Sequence, residues 1–321
     1  MGIEGVILTR LLAVFCVSAL AVWLLSGPLA GLAMDTPNHR SLHARAVPRT
    51  GGLGIMFAVL GGWWLGGLGL PAALFWGALL LVLVSFADDR LDLPAAARFA
   101  VHLAVAGWLA WRLGFAGVWL VLAVLATGWM TNLYNFMDGA DGLAGGMAVC
   151  GFGSYAIAFW LAGEGGMALA TAMVALAAVG FLLFNFPPAR VFMGDGGSVP
   201  LGFLAAGFGL IGIQYAVWPA WFPWLVFAPF VVDASVTLIR RALRGDKVWQ
   251  AHREHYYQRL IRMGWSHRRM ALVAWALMAS AGMVGLWSLR HTVWPVMAWA
   301  LTLTGLMVAA DRRWRQFLSN G

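Results

Sequence analysis

Residues 167–216 read MALATAMVALAAVGFLLF (167–184), NFPPARVFMGDGGS (185–198) and VPLGFLAAGFGLIGIQYA (199–216). The outer two runs are 18 residues each and carry no charge. A helix rises about 1.5 Å per residue, and the hydrocarbon core of a bilayer is about 30 Å thick. Each run is therefore close to the length of a membrane crossing. The 14 residues between them hold two prolines, three glycines, Arg190 and Asp195. Two apolar runs hinged by a short polar segment predict consecutive spans, not a soluble core.

The same pattern extends in both directions. Eleven apolar runs are expected as spans: Val6–Leu25, Gly52–Leu70, Pro71–Phe86, Ala95–Trp111, Val118–Leu133, Leu143–Leu161, Met167–Phe184, Val199–Ala216, Pro219–Ile239, Met270–Leu289 and Val293–Ala310. Of 321 residues, 62% are hydrophobic and 11% charged, against about 25% charged in soluble domains. The chain is expected to be one all-α polytopic domain over residues 1–321. The first run is long and Glu4 interrupts a cationic leader, so it is expected to stay as a span and not be removed as a signal peptide. Cys16 and Cys150 lie in apolar runs and suggest neither a disulfide framework nor a metal knuckle.

Connections alternate in character. Arg112–Gly117, Ala162–Gly166, Val217–Trp218 and Arg290–Thr292 are short and nearly uncharged. Asp35–Gly51, Ala87–Pro94, Tyr134–Gly142, Asn185–Ser198, Arg240–Arg269 and the tail from Asp311 are polar. Apart from Arg10, Arg112 and Arg290, all 21 Lys and Arg residues fall in the polar set or, for Arg98, at its edge. Positive residues mark the cytoplasmic side. The eleven runs then place the N-terminus outside and the C-terminus in the cytoplasm. A net charge of +8 spread between spans speaks for anionic lipid or an acidic substrate, and against nucleic acid.

Carboxylates beside a membrane are costly, and ten of the 13 acids fall in the polar connections. In Ser85–Asp92, Asp88 and Asp92 are four apart, so a continuing helix puts them on one face beside Asp89. Like charges at that range repel, and a divalent cation or an arginine relieves them. A solvated helix end with Arg90 and Arg98 as counterions accounts for the run equally well. Asn132–Leu143 alternates Asn132, Asn135, Asp138 and Asp141 with glycines. Such groups hydrogen-bond a base or sugar, or hold a hydrated cation, and also suit a helix end followed by a turn. Asp195 stands among glycines where a span begins. Backbone N–H groups there favour an anion such as a diphosphate, and Asp195 suits Mg²⁺ on the same phosphates; an N-cap aspartate is the plainer reading.

In the longest loop, His252 and His255 are spaced as one helical turn. A metal, a second shell or a phosphate would each use them, but two histidines without cysteine do not make a structural zinc site. Nearby arginines also suit lipid headgroups. His39, Arg40, His43, Arg45 and Arg49 face a phosphate or simply anchor the first loop. His102 and Asp233 lie within spans and are expected to serve packing or a structural hydrogen bond.

Together these blocks resemble the polyprenyl-phosphate N-acetylhexosamine-1-phosphate transferases, glycosyltransferase family 4. The carriers are Asp88-Asp89-x-x-Asp92, Asn132-x-x-Asn135-x-x-Asp138-Gly-x-Asp141-Gly-Leu, Val191-Phe-Met-Gly-Asp195-x-Gly-Ser198 and His252-x-x-His255. The first loop adds Asp35-x-Pro37, Arg40, His43 and Pro48-x-Thr50-Gly51-Gly52. The resemblance runs from about Asp35 to Leu260. It implies an enzyme that transfers an N-acetyl-sugar-1-phosphate from a UDP-sugar to undecaprenyl phosphate, releases UMP and starts a lipid-linked glycan. It implies Mg²⁺, or Mn²⁺ in its place, held by Asp195. Asp88 and Asp89 look like the catalytic acids; base, cation ligand and covalent nucleophile all stay open for them. Asn135, Asp138, Asp141, Asn185, His252, Arg253 and His255 look like substrate contacts. Expected partners are the UDP-sugar, the prenyl phosphate and membrane lipid, with a homodimer left open. The expected place is the bacterial inner membrane, with the site facing the cytoplasm.

One feature departs from several subfamilies: Tyr256-Tyr257 stand where those carry a denser histidine cluster. The form Ala-His-Arg-x-His-x-Tyr-Gln resembles the O-antigen-initiating branch of lipopolysaccharide biosynthesis, and not the peptidoglycan translocase. A secondary transporter or flippase is the competing class. Its acids would lie near the midplane between repeats, and no repeat is visible here. A non-catalytic scaffold of the same family is the third reading, and the complete acidic set speaks against it.

Overall fold

The computed structural model describes residues 3–35, 46–91, 93–248, 250 and 252–319. His39, Arg40, His43, Arg45 and Asp92 lie outside the described residues, as does the side chain of Asp89. Each apolar run is helical. In chain order the helices are α1 (Ile3–Ser26), α2 (Gly51–Gly66), α3 (Ala72–Leu91), α4 (Ala95–Arg112), α5 (Gly117–Phe136), α6 (Leu143–Leu161), α7 (Gly165–Asn185) and α8 (Asp195–Gln214). Then follow α9 (Trp221–Val226), α10 (Ala228–Leu243), α11 (Tyr256–Arg262), α12 (His267–Ser288) and α13 (Trp294–Ser319). Among the described residues, seven helices are long and apolar enough to cross a membrane, and α2 and the apolar part of α3 are shorter. The protein is a multi-pass helical membrane protein.

Three boundaries differ from expectation. The ninth run is two helices, α9 and α10, broken at Phe227. Pro229 donates no backbone hydrogen bond to the preceding turn and suits the first turn of a helix, so a new helix starts there. Next, α5 continues past Leu133 to Phe136, which puts Asn135 on a helix and not in a loop. Finally, His252 and His255 precede α11, with His255 at its N-cap, so they do not share a helical turn.

At the centre stands α8, packed by α2, α3 and α5, with 94% of its apolar stretch buried. Close approach explains its place. The first turns of α2 and α8 cross so tightly that a Cβ on Gly52 would lie 2.3 Å from Gly197 Cα. Only glycine on both sides permits that contact. The crossing is fixed by Gly51 and Gly52 N–H groups donating to the Phe192 and Met193 carbonyls, both at 2.9 Å. Beside it, β1 (Met34–Asp35) and β2 (Val47–Pro48) pair antiparallel, and Phe192 N–H donates to Pro48 at 2.7 Å. The polar connections thus meet at one end of the bundle. At the other end the short turns touch: Gln214 donates to the Leu113 carbonyl and Arg290 to that of Leu161.

Candidate active site

The end of α3, the start of α4 and the start of α8 converge on one guanidinium. Arg98, in the first turn of α4, pairs through Nη1 with Asp88 Oδ2 and lies 4.0 Å from Asp195 Oδ2. The other Asp88 oxygen accepts the Leu93 N–H at 2.9 Å. Asp88 therefore ties the α3–α4 turn and holds Arg98 against Asp195. Arg49 adds a second positive charge facing Asp195.

The end of α5 grips the start of α8 from the side. Asn135 Oδ1 accepts the Ser198 hydroxyl at 2.8 Å, and Asp138 Oδ2 accepts the Gly194 N–H at 3.1 Å. Burial pushes the Asp138 carboxyl well above the usual carboxylate range, and the negative charges of Asp195 and Asp35 push the same way. Four groups from the expected set, Asp88, Asn135, Asp138 and Asp195, thus share one cluster, and Asp195 touches or electrically couples to each of the others.

Asp141 and Asn185 stand apart from it. Burial alone would lift Asp141, but His267 at 3.3 Å and the Ala189 N–H at 3.0 Å outweigh it and hold the carboxyl below its ordinary range. Asn185 is buried; it accepts the Gly142 N–H at 2.9 Å and donates to the Val191 carbonyl at 2.8 Å. Both side chains brace the loops 137–142 and 186–194 against each other.

The histidines form a second group. His255 Nδ1 lies 3.1 Å from Asp233 Oδ1, and the two imidazoles are 4.8 Å apart. Asp233 also accepts the backbone N–H groups of Tyr256 and Tyr257 at 2.9 and 3.3 Å. The structural hydrogen bond expected of Asp233 is therefore the one that starts α11. Tyr257 stacks on His255, and its hydroxyl donates to the Phe136 carbonyl at 3.2 Å, which docks this group beside the Asp138 loop. Burial, then the charges of His255 and Arg241, lower His252 to about 4. Arg253 is half-buried, and Glu254 beside it is clasped by Arg241 and Arg244.

Among the described residues, no three His, Cys, Asp or Glu side chains gather as a ready metal cage. Mg²⁺ is commonly held by one or two carboxylates together with substrate phosphates and water. The hard oxygens of Asp195, Asp138 and Asn135 suit such an ion. Burial is the main cause that lifts Asp138, and the negative charges of Asp195 and Asp35 that add to it are of the kind a divalent cation relieves.

Residues 71–213 match the model of glycosyl transferase family 4. A probable undecaprenyl-phosphate N-acetylglucosaminyl 1-phosphate transferase of Bacillus subtilis is 30% identical over 294 residues, 84% of this chain and 82% of that protein. The undecaprenyl-phosphate alpha-N-acetylglucosaminyl 1-phosphate transferase of Yersinia pestis is 28% identical over 280 residues, covering 78% and 76%. A phospho-N-acetylmuramoyl-pentapeptide-transferase of Staphylococcus aureus is 34% identical over 157 residues, about half of each chain at 49% and 48%. The chain belongs to glycosyl transferase family 4.

Proposed function

We propose that this protein transfers an N-acetylhexosamine 1-phosphate from its UDP-sugar to undecaprenyl phosphate. The observation that carries the reading is the single cluster of Asp88, Arg98, Asn135, Asp138 and Asp195 at the polar end of the bundle. The names of relatives matched over about four-fifths of the chain support the same chemistry. An acceptor phosphate oxygen forms a bond to the sugar-bearing phosphorus, the bond from that phosphorus to the UMP oxygen breaks, and UMP leaves. Two anions must meet, so the site has to offset their repulsion and hold them in line.

Asp195 would hold Mg²⁺, and the ion would supply neutralisation of phosphate charge there when bound. Arg98 and Arg49 supply fixed positive charge at the same place. Asp88, with both oxygens already bonded to Leu93 and Arg98, acts chiefly by aiming Arg98, which favours direct attack by the acceptor over a covalent intermediate on Asp88. Asp89 is the remaining acid of the pair. Asp138 and Asn135 form the donor side of the cluster, and Asp141 and Asn185 shape its rim. His252, Arg253 and His255 close it from the loop that leads into α11. The site opens to the cytoplasm of a bacterium, from an inner-membrane bundle of eleven crossings with the N-terminus outside. The Tyr256-Tyr257 form of the histidine loop supports a role in starting O-antigen or another envelope polysaccharide.

The test is UMP release by the purified protein given undecaprenyl phosphate and a panel of UDP-N-acetyl sugars, with and without Mg²⁺. Release from one donor that requires both lipid and Mg²⁺ is the expected outcome. A folded protein that releases no UMP from any donor overturns the reading.

A further inference from the structure

The last helix is the least packed part of the bundle. No residue of α13 is buried, and among the described residues the helix packs mainly on α12 and α11. Yet one of its side chains lies at the centre of a dense polar contact. Asp311 accepts from Arg240 through both guanidinium nitrogens, at 2.8 and 2.7 Å. It also accepts the Tyr256 hydroxyl at 3.0 Å and Arg259 Nη1 at 3.1 Å. Arg240 donates to the same Tyr256 hydroxyl at 2.6 Å. The Arg240 and Arg259 guanidinium groups both lie over the Tyr256 ring, 5.5 and 5.3 Å from its centroid. Trp314, one turn beyond Asp311, carries Arg262 at 4.8 Å over its face.

These contacts converge on α11, a helix of seven residues. Such a short segment has little stability of its own, so tertiary ties set its position. Asp233 from α10 holds its N-terminus, and Asp311 from α13 holds its flank. What α11 positions is the histidine pair: His255 is its N-cap, and Tyr257 stacks on the His255 ring while bonding the Phe136 carbonyl. A Cβ on Gly139 would lie 2.1 Å from the Tyr257 hydroxyl, so the docking surface of this ring on the Asp138 loop is tight.

We propose that Asp311 is a positioning residue for the transfer reaction, through which the outermost helix α13 sets α11 and thereby the distance from His252 and His255 to the acidic cluster. The proposal rests on the transferase reading for its link to activity, but the tie itself does not. Charge-assisted, bidentate contacts of this kind are among the stronger and more directional ones. A displacement of about 1 Å in a positioning element can cost on the order of 10²-fold in rate.

The experiment uses the full chain in lipid nanodiscs, with Asp311→Asn, Asp311→Glu, Tyr256→Phe and, as a surface control, Gln316→Ala. Two readouts are taken: amide hydrogen exchange over residues 252–262, and kcat and KM for transfer. Asp311→Asn is expected to speed exchange in α11 by about 10-fold or more and to lower kcat by about 10- to 100-fold. Exchange in α8 and α5 stays unchanged. Asp311→Glu recovers much of both, Tyr256→Phe shifts both in the same direction by less, and Gln316→Ala matches the wild type. Should Asp311→Asn fail to fold, Tyr256→Phe decides alone, since it removes one hydroxyl and leaves the ring. Unchanged exchange in α11 overturns the tie. Faster exchange with unchanged kcat overturns the positioning role. If the wild-type protein transfers nothing, the transferase reading falls, and the exchange arm still decides the tie.

Discussion

The helices α8 and α13 are both long and apolar, and each carries an aspartate at the polar end of the bundle. Their surroundings are opposite: 94% of the apolar stretch of α8 is buried, against 6% for α13. Hydropathy does not separate them, but side-chain size does. Gly196, Gly197, Gly202, Gly207, Gly209 and Gly212 let neighbours close on α8 from every side. Trp, Leu and Met recur along α13, and at its one glycine, Gly305, an added methyl would meet nothing within 4 Å. The rest of the chain leaves this helix almost uncovered. The two aspartates differ accordingly. Asp195 faces both acids and the arginines Arg98 and Arg49; Asp311 is saturated by arginines and a hydroxyl.

Substitutions sharpen that contrast. The largest effect is expected at the centre: Asp195→Ala should lower the transfer rate by at least about 10²–10³-fold, with the thermal unfolding midpoint nearly unchanged. Asp311→Asn should cost less, about 10- to 100-fold. If the two losses are equal, the distinction between a chemical and a positioning aspartate is wrong.

Packing gives the next pair. Adding a side chain at the α2–α8 crossing by Gly52→Val forces backbones apart and should destabilise the fold by about 1–3 kcal/mol in a denaturation series. Gly305→Ala on α13 should stay within about 0.5 kcal/mol of wild type. Equal costs would mean that the burial of α8 does not depend on that close approach.

The smallest effect is a pH dependence from the second polar group. His252 is lowered to about 4, so the folded chain keeps it neutral where an unfolded chain, with a value near 6.5, binds a proton. Between about pH 4 and 6.5 the unfolded state holds more protons, so stability contributed here rises with pH across that window. The wild type should therefore gain more in melting midpoint from pH 5 to pH 7 than His252→Gln does. An equal gain would show that burial of His252 is not linked to folding.

Much of this architecture is legible in the sequence. Apolar runs place the helices, because a bilayer demands length and lack of charge and little else. Clustering of acids in alternate connections marks the polar end. The parts that are not legible share one cause: they depend on partners distant in sequence. Asn185 resembles a substrate contact in its motif, but its amide binds the backbone of Gly142, 43 residues away. Arg98 is marked only as a counterion, and nothing in its neighbourhood says that it spans Asp88 and Asp195. The spacing of His252 and His255 suggests a helical turn, whereas Asp233 arranges them from another helix. The tie from Asp311 to Arg240 crosses 71 residues and has no local pattern. Pro229, by contrast, is a local signal for the break in the ninth run, because proline suits the first turn of a helix.

The measurement that bears most directly on the central claim follows the phosphorus itself. The protein is given undecaprenyl phosphate, Mg²⁺ and a UDP-N-acetylhexosamine carrying ³²P at the phosphate next to the sugar, and the lipid and water phases are separated. Label moving into the lipid phase, with unlabelled UMP left in water and no movement in Asp195→Ala, is the expected result. Label that stays in water for every donor tried, with the protein folded, would contradict sugar-1-phosphate transfer as the work of this site.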